Sequence, residues 1–150
     1  MSDRIQIADE LLDAWLSLSS TLWNTRIVSS MTFNEAHVLG ILMRHGEEAD
    51  PLTATDLIRR TRLLKSQMNK ILTALESRGF ITRTRAELDK RMIFIHLTEE
   101  GTQAYLNEHK RVDAILNQLI GQIGTDRALY IARELQEITE ILDGIVSIDK

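Results

Sequence analysis

Apolar residues recur at helical spacing through the first quarter of the chain, at Ile5, Ala8, Leu11, Leu12, Trp15, Leu18, Leu22, Trp23 and Ile27. The pattern predicts one long amphipathic helix over Ile5–Val28. Thr32-Phe-Asn-Glu35 then has the form of a capping box, in which a Thr hydroxyl and a Glu carboxylate each satisfy a backbone N–H at a helix start. The second helix it opens carries Val38, Leu39, Ile41 and Leu42 inward and ends near Gly46. HGEEADP is polar, holds the single Pro, and reads as a loop. Thr53-Ala-Thr-Asp56 opens a short third helix, with Leu57 and Ile58, that fades near Thr61. A fourth places Met68, Ile71, Leu72 and Leu75 on one face and stops at Gly79, suited to a left-handed C-cap.

The period then changes. Phe80–Arg83 and Arg91–Leu97 are rich in β-favouring residues and flank a charged tip, Ala86–Lys90, which together predict a hairpin. Thr98 is placed to cap a fifth helix bearing Tyr105, Val112, Ile115, Leu116, Leu119 and Ile123. Gly124 ends it, Thr125 caps a sixth, and Ala128, Leu135, Ile138, Leu142 and Ile145 form its apolar stripe. The expected fold is mainly α with a small β-hairpin wing. It has no internal repeat or flexible linker.

At 150 residues and 43% hydrophobic content, the chain has enough apolar material for one folded unit, 1–150. Neither a secretory signal nor an apolar run long enough to span a bilayer is visible, which points to a cytoplasmic protein with no membrane partner. Without Cys there can be no disulfide or thiolate metal site. The net charge of −4 argues at first against nucleic acid, but the charge is segregated. Between Thr53 and Arg91, ten basic residues face four acids, a net +6, whereas the rest of the chain has eight against eighteen, a net −10. A basic middle between acidic arms is the footprint of a module that meets phosphate.

A short helix followed by a second one is the layout of a helix-turn-helix, and the hairpin behind it supplies a wing. The outer face of the fourth helix presents Ser66, Gln67, Asn69, Lys70 and Thr73, with Lys65 at its start, side chains able to meet base edges and phosphates. Arg83, Arg85, Lys90 and Arg91 make the wing basic. An α-helix fits the major groove, and a narrow basic tip can follow the backbone or enter the minor groove.

DLIRRTRLLKSQMNKILTALESRGFITR and LDKRMIFIHLTEEG resemble the MarR family of winged-helix transcription regulators, above all in Leu75-Glu76-x-x-Gly79, Asp89-x-Arg91 and Leu97-Thr98-x-x-Gly101. The resemblance implies a homodimer with interlocked terminal helices, a recognition helix in each of two major grooves, and wings in the flanking minor grooves. It assigns 32–97 to DNA binding and 1–30 and 99–150 to dimerisation. Ser66, Gln67, Asn69 and Lys70 fall where the recognition helix faces DNA, Arg91 where a wing arginine enters the minor groove, and Asp89 where a carboxylate braces that arginine. A braced guanidinium has less rotamer entropy to lose on binding; the alternative for Asp89 is an ordinary turn residue. The sequence departs from the family before the recognition helix, where Thr61, Arg62 and Leu64 replace an apolar residue, a Gly and a Ser or Asp cap. That leaves the start of the helix open.

The apolar surplus of the terminal helices, including Trp15, Trp23, Leu135, Ile138 and Leu142, independently calls for a partner surface in a second copy. The implied function is a homodimeric repressor of a pseudo-palindromic operator, with a small-molecule effector for which Trp15, Trp23, Phe33 and His37 are candidate contacts. A metal-responsive regulator using His37, His109 and Asp113 is a further reading, resting on the i,i+4 spacing of the last two. The competing class is a winged-helix protein-interaction module, which would expose apolar rather than cationic residues at the tip. No cofactor is expected. No catalytic motif appears, so an enzyme is not expected.

Overall fold

The elements run α1 (Ser2–Asn24), α2 (Phe33–His45), β1 (Leu52–Thr53), α3 (Ala54–Thr61), α4 (Lys65–Ser77), β2 (Ile81–Arg85), β3 (Ile93–Leu97), α5 (Glu99–Ile123) and α6 (Thr125–Ile148). The structure, a computed structural model, describes residues 2–24, 30–46 and 50–148, and the side chains of all but 2, 23, 24, 147 and 148. Ile27 and Val28, placed in the first helix by the sequence pattern, lie outside the described residues, as does the side chain of Trp23. The chain forms two compact units, Met1–Arg111 and Val112–Lys150.

In the first unit, α2 and α3 both begin with the capping boxes expected from sequence. Thr32 Oγ1 accepts from the Glu35 N–H at 3.2 Å while Glu35 accepts from the Thr32 N–H at 2.7 Å. Thr53 and Asp56 repeat the exchange at 3.2 and 2.9 Å. These local bonds orient Val38, Leu39 and Leu57 inward, where with Met68, Leu72, Leu75 and Ile81 they are almost completely buried. Losing any of these large side chains would remove both burial and packing.

The expected hairpin is part of a three-stranded antiparallel sheet in the order β1-β3-β2. Leu52 pairs with Ile95 and Thr53 with Phe94 on one side of β3, and Ile81 pairs with Leu97 through Arg85 with Ile93 on the other. The sequence pattern places Leu52 and Thr53 outside any strand, because two residues are too few to show an alternation.

Gly79, at φ 75°, closes α4 in a Schellman motif: the Phe80 N–H reaches the Leu75 carbonyl and the Gly79 N–H the Glu76 carbonyl, both at 2.9 Å. Thr98 then ties the start of α5 to this turn. Its hydroxyl donates to the Gly79 carbonyl at 2.6 Å and accepts from the Gly101 N–H at 3.0 Å, and its own N–H reaches the Phe80 carbonyl at 3.1 Å. A Cβ on Gly101 would lie 2.0 Å from the Phe80 carbonyl oxygen. Leu-Thr-x-x-Gly is therefore a docking motif that packs the first turn of α5 on the backbone between α4 and the wing.

Farther along α5, Glu108 is buried and accepts from the backbone N–H and the hydroxyl of Ser30, at 2.9 and 2.5 Å. The Ser30 carbonyl in turn accepts from Arg78 Nη2 at 2.7 Å, and Arg78 Nη1 stands 3.7 Å from Glu35. Arg78 also lies over the Phe80 ring. The end of α4 is thus bonded to the approach to α2, and that approach to α5.

In the second unit the C-terminal part of α5 passes into α6 at Gly124, whose φ is 87°. Gly124, not the expected Thr125, occupies the cap: its carbonyl accepts from the Ala128 N–H at 3.0 Å, and Thr125 is the first helical residue. No helix among the described residues is long and apolar enough to cross a membrane.

Candidate nucleic-acid interface

The fourth helix begins at Lys65, which settles the start that the sequence left open. Leu64 occupies the N-cap and has no side-chain oxygen to offer. The substitute is Gln67, whose Oε1 accepts from the Leu64 N–H at 3.0 Å, half of a capping box contributed from inside the helix. Buried Met68, Leu72 and Leu75 seat the helix on the core, and the same rotation leaves Lys65, Ser66, Gln67, Asn69, Lys70 and Thr73 exposed. Six polar or cationic side chains thereby share one outward surface on a rigid element.

The turn before this helix is unusual. Arg62 has φ 59° and ψ 16°, left-handed, and its N–H donates to the Ile58 carbonyl at 2.8 Å. It is the sole described non-glycine residue at positive φ. A residue with a Cβ loses roughly 1 kcal/mol in this region relative to Gly.

In the wing, Arg83 pairs with Glu76 on α4, through Nε at 2.8 Å and through Nη2. Arg83, expected at the DNA surface, therefore shares its charge with an acid and ties β2 to α4. Arg85, Lys90 and Arg91 are exposed. Asp89 Oδ1 accepts from the Arg91 backbone N–H at 3.0 Å, and the Met92 N–H reaches the Asp89 carbonyl at 2.9 Å. Among the described residues no ion pair joins Asp89 to the Arg91 guanidinium, so in this structure the carboxylate shapes the turn rather than bracing the side chain. Leu88, fully exposed, is the apolar exception at the tip.

The effector candidates do not gather around the described groove. Trp15 is half exposed on α1, Phe33 half buried at the start of α2, and His37 exposed on α2. A groove of about 480 Å³ lies instead among the end of α2, β1, β3 and the start of α5, lined by residues that include Leu42, His45, Ile95 and His96. His109 stacks on Tyr105 with ring centroids 5.1 Å apart. No group of three or more His, Asp or Glu side chains suited to a metal occurs among the described residues, so His37, His109 and Asp113 do not gather into one within the chain.

Three titrations follow from these interactions. The Arg83 hydrogen bond holds Glu76 below its ordinary 4.5, and bonds from the backbone and hydroxyl of Thr53 hold Asp56 below 3.8. Both folded-state values are depressed, so the stabilisation is complete above the ordinary values and is lost as pH falls through the folded ones. Desolvation, with Arg44 second, holds His37 below 6.5, so its contribution is present above about pH 6.5 and declines on acidification below it. We expect the urea midpoint to fall slightly between about pH 7.5 and 5.5 and further toward about pH 3.5. Glu76→Gln should flatten the acid limb; an unchanged limb would show that the Glu76–Arg83 pair contributes nothing.

The elements, their order and these exposed faces define a winged-helix protein of the DNA-binding kind. The chain matches the MarR family over residues 29–92. It is 25% identical over 119 residues to the HTH-type transcriptional regulator FarR of Neisseria gonorrhoeae, covering 79% of each chain. The fold is shared with the transcriptional regulator PcaV of Streptomyces coelicolor, solved with its natural ligand, at a TM-score of 0.74 and 20% identity over 87% of this chain and 89% of that one. It is shared also with S. aureus MepR, solved in complex with DNA, at a TM-score of 0.71 and 20% identity over 87% and 96%.

Proposed function

We propose that the protein is a homodimeric, sequence-specific repressor that binds a pseudo-palindromic operator and is released by a small molecule. The observation that carries this reading is the exposed face of α4, where Lys65, Ser66, Gln67, Asn69, Lys70 and Thr73 project from a helix seated by Met68, Leu72 and Leu75. Residues 32–97 form the DNA-binding part in this reading. Asn69 and the amide NH₂ of Gln67 read base edges, and Lys65, Lys70, Arg85, Lys90 and Arg91 meet phosphate or the minor groove.

Dimerisation falls to 1–30 and 99–150. Ile5, Leu11, Leu12 and Trp15 on α1, and Leu129, Leu135, Leu142 and Ile145 on α6, are each 41% or more exposed in the single chain. Apolar surface on that scale requires cover, and a second copy supplies it with the two-fold symmetry that an inverted repeat matches. The ligand-bound PcaV and DNA-bound MepR folds support the effector and DNA parts of the reading. Such a regulator works in the cytoplasm, on chromosomal DNA.

The test is selection from random duplex DNA at about 150 mM salt, where non-specific attraction is reduced. An enriched inverted repeat with half-sites roughly one helical turn apart is expected; recovery of no sequence would favour the protein-docking alternative. On the selected site, Arg91→Ala should weaken binding to every duplex and reduce the salt slope by about 0.9 for each phosphate that is no longer neutralised. Asn69→Ala should cost about 1–3 kcal/mol on the operator alone. Equal effects on all sequences for both variants would refute this division of roles.

A further inference from the structure

We infer that Leu64, at the N-cap of α4, reads a base: together with the Gln67 amide it recognises thymine, its methyl groups meeting the 5-methyl group of the base while the amide NH₂ donates to O4. The inference rests on the DNA-binding reading above and deepens it, by naming the base that the start of α4 selects. Three observations converge. First, Leu64 is 68% exposed. A single exposed leucine is ordinary on a protein surface, but the N-cap favours Ser, Thr, Asp and Asn, which bond the free backbone N–H groups as Leu cannot. Second, Leu64 opens α4 with an extended backbone, at φ −67° and ψ 150°, and its carbonyl accepts from the Met68 N–H at 2.9 Å. Its side chain is therefore fixed in place at the end of the helix where Lys65, Ser66 and Gln67 are also exposed. Third, Gln67 Oε1 accepts from the Leu64 N–H at 3.0 Å. Only the amide oxygen can accept, which leaves the NH₂ of the same group as a donor with no acceptor bonded to it among the described residues.

The structure thus holds a hydrogen-bond donor and an apolar side chain together at the start of the helix. The N-terminal residues of a recognition helix are the ones that reach base edges in the major groove. There thymine presents an acceptor, O4, next to a methyl group. Cytosine presents a donor and no methyl, and guanine presents acceptors without a methyl, so thymine alone complements both groups. Lys65, the next residue, suits a phosphate, a contact that fixes register and carries no base information.

The experiment uses the full-length protein and the selected operator, in which each thymine is replaced in turn by uracil, symmetrically in the two half-sites. Uracil pairs as thymine does and lacks only the methyl group. At one position the wild-type affinity should fall roughly fourfold for each methyl lost, about fifteenfold for the two half-sites together. Leu64→Ser should bind the thymine and uracil duplexes equally, with its salt slope unchanged because no phosphate contact is involved. Its thermal midpoint should be unchanged or raised by a few degrees, since Ser caps the helix. Leu64→Met keeps an apolar reach and should retain most of the discrimination.

Equal wild-type affinity for thymine and uracil at every position would overturn the inference, and so would discrimination that survives in Leu64→Ser. Loss of discrimination in Leu64→Met at an unchanged midpoint would also overturn it. Failure of the unsubstituted protein to enrich any duplex would remove the DNA-binding reading itself, an outcome distinct from an operator bound equally well with either base.

Discussion

Gly101→Ala is expected to destabilise the protein by roughly 3–4 kcal/mol, at the upper end of overpacking effects. The added Cβ would meet the Phe80 carbonyl oxygen at 2.0 Å, its carbon at 2.8 Å and Leu97 Cδ1 at 2.9 Å. Two of these neighbours are backbone, in a segment already held by the Schellman turn and by Thr98, so relief requires moving α5 away from Phe80. That movement would stretch the bonds from Thr98 to Gly79 and Phe80. Gly121, also in α5, has nothing within 4 Å of the equivalent position. Its replacement by Ala should be neutral or stabilising by up to about 1 kcal/mol. Urea unfolding of the two variants measures the contrast; a destabilisation below about 1 kcal/mol for Gly101→Ala would show that α5 docks less closely than this structure has it.

The second large effect is expected at Glu108. Glu108→Ala removes the acceptor for the Ser30 N–H and hydroxyl in a buried setting, and should cost about 2–4 kcal/mol. Its influence extends further than the pair, because Ser30 also receives Arg78 from the end of α4. Both bonds end on Oε1, so Glu108→Gln keeps an amide oxygen that can accept both, loses only their charge assistance, and should recover more than half of the stability. Neither variant removes a charge facing DNA in the proposed complex. Operator binding should therefore keep its salt slope, whereas a changed slope would indicate that this buried network repositions the phosphate-binding side chains.

Much of the architecture is legible in the sequence, for a physical reason. The starts of α2 and α3 depend on side chains that bond backbone groups three residues away, so Thr32 with Glu35 and Thr53 with Asp56 announce themselves. The buried sides of α2 and α4 follow the apolar period, and Gly79 and Gly124 mark turns where positive φ is required. Charge segregation along the chain, with the basic hairpin, marks the candidate nucleic-acid surface. Its partition among side chains is less visible, since Arg83 and Arg91 are alike in sequence while one pairs with Glu76 and the other is exposed.

The helices, most of their caps, the hairpin and the polar outer face of α4 thus follow from the amino-acid order alone, because each arises from interactions within a few residues or from a repeating period. The short strand β1, the left-handed Arg62, the backbone role of Asp89, the close approach of Gly101 to Phe80 and the Glu108–Ser30–Arg78 connection emerge only in three dimensions. Ser30 and Glu108 are separated by 78 positions, and no local period links them. Such pairings exist because packing brings distant backbone groups together in a place that excludes water, where each buried polar atom must then find a partner.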